Sequence, residues 1–122
     1  MSERITDPGA VIQRQMEAYN RRDLEAFCAF FAPDIVTRLY ENDEILASGL
    51  AANRELYRRR FSENPNLQME VQLRTVLDNV VVDRELITGF DGGRTLTAIA
   101  IHEVHDGLVR RASFIRRYAA TE

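Results

Sequence analysis

Residues 94–117, RTLTAIAIHEVHDGLVRRASFIRR, decide the fold. They read as two strands, 94–105 and 108–117, joined at Asp106-Gly107. Asp and Gly tolerate the positive φ that a tight hairpin needs. Side chains alternate across a strand. In the first strand one face is Thr95, Thr97, Ile99, Ile101 and Glu103, and the other is Leu96, Ala98, Ala100, His102 and Val104. Both faces are substantially apolar, so both should be covered. We place the Ile99/Ile101 face inward, towards helices and a cavity. The small-residue face then packs outward on a second subunit, which predicts a homodimer through the outer sheet face.

Two more strands precede this pair, at residues 68–77 and 80–89, with turn signals at Asp78-Asn79 and Asp91-Gly92-Gly93. Earlier still the spacing is helical, over residues 11–20, 24–31 and 50–61. Asp7 caps the first helix and Pro8 suits its first position; Asp23 caps the second and Pro33 stops it. Residues 35–40 form a short strand, Glu41-Asn42-Asp43 turns, residues 44–47 return, and Ser48 caps the third helix. The run Arg58-Arg59-Arg60 reads as a solvated helix flank. There are no repeats or linkers, so residues 1–122 form a single domain. The expected class is α+β: three N-terminal helices packed on a curved, mainly antiparallel β-sheet with a central cavity.

Composition narrows the chemistry. A chain of 122 residues buries a core without staples. Its net charge of −3 argues against nucleic acid as a partner. All 16 basic residues are Arg, which removes Schiff-base chemistry. The single cysteine, Cys28, lies among Phe27, Phe30 and Phe31 and reads as core. The first ten residues do not read as a secretory signal and no apolar run is long enough for a membrane span, so the cytoplasm is the expected location. No metal, cofactor or nucleotide motif is present, and His102 and His105 face opposite sides of their strand.

Several segments together resemble the nuclear-transport-factor-2-like superfamily, the cone fold of ketosteroid isomerases and SnoaL-like polyketide cyclases. They are residues 19–27 (YNRRDLEAF), Phe31-Ala32-Pro33-Asp34, Ser48-Gly49 and residues 105–109 (HDGLV). The resemblance covers nearly the whole chain and implies the cone fold with its cavity. It also permits a test of chemistry. Ketosteroid isomerases use a base carboxylate, with a Tyr and a protonated Asp for the oxyanion. The matching positions here hold Leu39, Gln15 and Ile101. An alkyl group cannot take a proton, so the isomerase reaction is excluded. The limonene-epoxide-hydrolase pattern meets Ile99 and Ile101, and the last strand has no carboxylate for a cyclase acid.

The pocket residues predicted from this alignment are Gln15, Tyr19, Leu39, Tyr57, Ile99, Ile101 and Phe114, with Tyr40 as a further tyrosine. Glu103 is the carboxylate expected on the inward face, where burial would raise its pKa, or else it pairs with a neighbouring Arg such as Arg111 or Arg116. His102 is a second acid–base candidate. Three functions follow: a pocket for a small hydrophobic or aromatic ligand; an isomerase, cyclase or hydrolase working through Glu103 or His102; or a non-catalytic dimeric interaction module whose cavity is filled by its own aromatic rings.

Overall fold

A computed structural model describes residues 5–120. Three helices, α1 (Pro8–Arg21), α2 (Leu24–Cys28) and α3 (Leu50–Glu63), accompany six strands. The strands are β1 (Phe31–Leu39), β2 (Ile45–Ser48), β3 (Gln68–Leu77), β4 (Val80–Thr88), β5 (Arg94–His105) and β6 (Leu108–Ala120). They form one sheet in the order β2-β1-β6-β5-β4-β3, antiparallel except where β1 runs parallel to β6. Among the described residues no helix is long and apolar enough to cross a membrane.

The helix starts follow local chemistry. The Asp7 carboxylate accepts from the Ala10 N–H at 3.0 Å, and the Asp23 carboxylate from the Ala26 N–H at 3.1 Å. Each satisfies an N–H that the first turn would otherwise leave bare. The hairpins also form as expected: Asp78 has φ 52°, and Asp106-Gly107 have φ 52° and 79°. A side chain at Gly107 would strike the Ile5 carbonyl oxygen.

Two boundaries differ from expectation. The second helix stops at Cys28, and the chain is already in strand at Phe31. Pro33 therefore sits inside β1. Pairing with β6 is interrupted between Phe31 and Val36, so the missing N–H of proline breaks no ladder bond there. Ser48 does not cap α3; it ends β2, and Gly49 at φ 88° is the cap position, with no side-chain bond. Asn53 ties that helix start down instead. Its buried amide donates to the carbonyls of Gly49, Ile35 and Ala47 at 2.8, 3.2 and 3.3 Å, and it accepts from the Thr37 hydroxyl.

The main correction concerns the faces of β5. Leu96, Ala98, Ala100, His102 and Val104 are buried beneath the helices, whereas Thr95, Thr97, Ile99, Ile101 and Glu103 are only half-buried and form the outer face. A one-residue change of register exchanges the two faces of a strand. Here the sterics decide: α1 lies across β3, β4 and β5, and small Ala98 leaves room for the large rings that the three helices and the start of β1 hold over the sheet. Those rings are Tyr19, Phe27, Phe31, Tyr57 and Phe61, which pack with centroids 4.5–6.5 Å apart. Such tilted and edge-on pairs are favourable beyond their buried area.

Candidate functional site

Between the aromatic cluster and the concave face of the sheet lies a cavity of about 60 Å³. That space holds several waters or a compact molecule; drug-sized ligands occupy sites of roughly 300 Å³ or more. The aromatic rings narrow it from the helix side. The sheet lines it with alternate residues of β4, β5 and β6, because only every second side chain points inward.

Four predicted pocket residues line this space: Gln15, Tyr19, Tyr57 and Phe114. The Gln15 amide donates to the Phe27 carbonyl at 3.2 Å, so one end of it is committed to holding α1 against α2. Leu39, Ile99 and Ile101 do not line the cavity. The two isoleucines are turned to the outer face by the β5 register, and Leu39 lies at the end of β1. Tyr40 is exposed at the surface turn. Glu103 is also on the outer face, 3.9 Å from Arg111 across the β5–β6 ladder, and does not reach the cavity. His102 does reach it, edge-on to the Phe114 ring with centroids 6.0 Å apart.

Sequence reasoning missed the polar groups of β4. Val81, Asp83, Glu85 and Ile87 share its buried face. Asp83 is fully buried and forked to Arg74 of β3, with contacts of 2.7 and 2.8 Å, and Arg74 reaches on to the Gln13 side chain at 2.9 Å. That bidentate geometry satisfies both carboxylate oxygens. Glu85, two residues on, has no ion pair, and its Oε1 has no partner. Burial, helped by the charge of Asp83, raises its pKa to about 8, against the opposing pull of Arg60 and Arg74. It is therefore a protonated acid at neutral pH. The signal available in sequence was the pair of acids at alternate positions inside the apolar run VVVDRELIT.

His102 goes the other way. Burial lowers its pKa to about 4, only partly offset by Asp83, so the ring is neutral and its Nδ1 is unpartnered. The Tyr19 hydroxyl is likewise unpartnered. Burial raises its pKa strongly, even though the nearby Arg60 guanidinium works against the rise, so it stays an O–H donor. The fourth such atom is Nε of Arg116. These are all the buried side-chain polar atoms without a partner among the described residues, and every one belongs to a residue lining this cavity. The other buried side-chain polar atoms of the described residues are satisfied, as folded proteins require. Arg60 completes the wall, with its guanidinium 6.0 Å from the Tyr57 centroid and 5.6 Å from that of Phe90. Cys28 is buried and lies outside the lining; burial raises its thiol pKa, as expected of a core cysteine.

A curved six-stranded mixed sheet with three helices defines an α+β fold, and the polar atoms described above turn into the space between sheet and helices. The SnoaL-like domain model matches residues 12–112, and the chain belongs to that family. Among curated proteins none matches the chain. Solved structures do. A candidate ketosteroid isomerase from Kribbella flavida superposes with a TM-score of 0.77 at 22% identity, covering 93% of this chain and 79% of that one. A protein of unknown function from Cytophaga hutchinsonii, described as NTF2-like, gives 0.77 at 12% identity, covering 96% and 95%. A candidate polyketide cyclase from Sinorhizobium meliloti gives 0.74 at 19%, covering 87% and 94%. At these identities the likeness is one of fold.

Proposed function

We propose that this chain is a SnoaL-like pocket protein that binds a compact, largely apolar or aromatic molecule in the cavity between the helices and β4–β6. The observation that carries this reading is the gathering of all four unpartnered buried polar atoms, on Tyr19, Glu85, His102 and Arg116, around one space. Leaving such an atom bare costs about 1–3 kcal/mol, which a ligand or waters recover by bonding it. The small volume favours one-ring molecules over steroids or fused polycycles. A thermal-shift screen of one-ring aromatic acids, amides and alcohols tests the reading. Stabilisation by at least one, lost when Ala98 is enlarged to Leu to fill the floor of the cavity, is the expected result. No stabilisation by any of them would end it.

A second reading is favoured by one observation: a protonated carboxyl and a neutral imidazole open onto the same cavity. Glu85 and His102 have the pKa directions of an acid and a base at neutral pH. In this enzyme reading Glu85 takes the role that sequence assigned to Glu103. Loss of turnover in Glu85→Gln, with ligand binding kept, would support it.

The outer face of the sheet is the surface we assign to a second copy of the chain. It presents half-buried Val82, Ile99, Ile101 and Ile115 in neighbouring positions across β4, β5 and β6, with the Glu103–Arg111 pair beside them. An apolar patch rimmed by charge suits a two-fold contact. A monomeric mass by light scattering at micromolar concentration would rule the dimer out.

A further inference from the structure

The charges around the cavity do not cancel. Asp83 and Arg74 neutralise each other in a closed fork. Arg60 and Arg116 also line the cavity, and neither takes part in any ion pair among the described residues. Guanidinium groups stay protonated under all ordinary conditions. Arg60 is held between the Tyr57 and Phe90 rings, a setting that stabilises a cation without neutralising it. The remaining acid, Glu85, is buried at 3% exposure without an ion pair and beside Asp83, conditions that keep it uncharged. His102 is buried and neutral as well. The wall of the cavity is thus cationic, in a chain whose net charge is −3.

The sheet register explains why Glu85 and Arg116 do not simply pair. Glu85 stands opposite Ala98, and Ala98 opposite Arg116, so the acid and the guanidinium flank a single methyl group on the same face. Strands lie about 4.8 Å apart, which separates the two backbones by roughly 10 Å. An Nε–H of Arg116 and the O–H of Tyr19 are left without acceptors. Two donors, two uncompensated positive charges and apolar walls such as Phe27, Ile87 and Leu96 describe one kind of guest.

Resting on the pocket reading above, we infer that the cavity selects an organic anion: a one-ring or similarly compact apolar molecule whose single charged oxygen sits between Arg60 and Arg116, accepting from the Arg116 Nε–H and the Tyr19 hydroxyl. Charge-assisted bonds of this kind are about twice as strong as neutral ones. Carboxylates, phenolates and enolates share the required chemistry.

Calorimetric titration of the purified protein with benzoate and with its neutral counterpart benzamide tests this at pH 7. Benzoate should bind at least tenfold tighter. Arg116→Gln should weaken benzoate more than benzamide and cut the preference for the anion at least threefold, and Arg60→Met should act in the same direction. If Arg116→Gln loses its circular-dichroism signal of folding, Arg60→Met decides alone, because the half-buried Arg60 side chain has no ion pair to break among the described residues. Equal binding of the two probes would overturn the anion inference and leave the pocket standing. Binding of neither would overturn the pocket and the inference with it.

Discussion

The β3 side of the cavity and the β6 side are built from the same residue types and reach opposite ends. On the β3 side Asp83 meets Arg74 in a forked ion pair, and no polar atom of either is left over. On the β6 side Glu85 and Arg116 are kept apart by Ala98, and each retains a bare polar atom. Both carboxylates are buried on the same strand face, two residues apart. What separates them is the neighbour opposite: Arg74 stands across from Asp83 on β3, whereas Glu85 faces Val71 there and Ala98 on β5. A closed pair is structure. An open one, where the other buried side-chain polar atoms of the described residues outside this cavity are satisfied, marks a candidate site.

The largest test of that contrast is to open the closed pair. Arg74→Met strands a fully buried Asp83 charge and should cost about 3–5 kcal/mol in urea denaturation, since removing one partner of a buried pair leaves the other uncompensated. Glu85→Gln, by contrast, removes a group that must take up a proton to fold at pH 7, and should leave stability unchanged or raise it, by up to about 3 kcal/mol. A similar loss in both variants would erase the distinction between the two sides.

The pH dependence of stability sharpens it next. Glu85 rises from 4.5 to about 8 on folding, so the folded state holds a proton that the unfolded chain has lost between those values. Stability from this group is complete below pH 4.5 and is lost as pH climbs through 8, by about 1.4 kcal/mol per unit. His102 falls from 6.5 to about 4, so its contribution is complete above pH 6.5 and is lost as pH drops through 4. The two slopes oppose each other between pH 4.5 and 6.5 and nearly cancel there. The charged groups facing Glu85 are Asp83, Arg60 and Arg74, with Arg116 beyond Ala98 and the tyrosines 19 and 57 above, and none of the tyrosines titrates in this window. Chemical denaturation across pH 5–9 should therefore show a plateau, then a decline above pH 6.5. Glu85→Gln should flatten the decline, and His102→Gln should tilt the plateau downward with rising pH. A wild-type curve level from pH 6.5 to 9 would mean that Glu85 is ionised in the folded state.

Much of the architecture was legible because it rests on local rules. Asp7 and Asp23 cap their helices, and Asp78, Asp106 and Gly107 turn their hairpins, with no help from distant residues. Pro33 misled because a proline can end a helix or sit in a gap of a ladder, and only the β6 partner distinguishes the two. The faces of β5 were ambiguous for a deeper reason. Both alternations are apolar, and what selects the inner one is the bulk of Tyr19, Phe27 and Tyr57 over small Ala98, a tertiary fit invisible along one strand. The same ambiguity hid Asp83 and Glu85. Gln15 and Tyr57 came from the family resemblance and Tyr19 from the helical spacing of α1, and all three line the cavity.

Glu103 provides the smallest effect and the cleanest control. It has the residue type that sequence sought for the cavity, on the strand that borders the cavity, yet its side chain points to the other side of the sheet. Its ion-pair partner, Arg111, is 3.9 Å away with half of its side chain exposed, and pairs of this sort contribute little. Glu103→Gln should change stability by less than about 0.5 kcal/mol and should leave benzoate binding unmoved, whereas Glu85→Gln removes the acid that opens onto the cavity. The two substitutions are chemically identical and both carboxyls lie in adjacent central strands. A difference between them in the pH profile can therefore come only from which face of the sheet each occupies. If Glu103→Gln, and not Glu85→Gln, altered binding or the alkaline slope, the β5 and β4 registers that place Glu85, Ala98 and His102 inside would have to be given up.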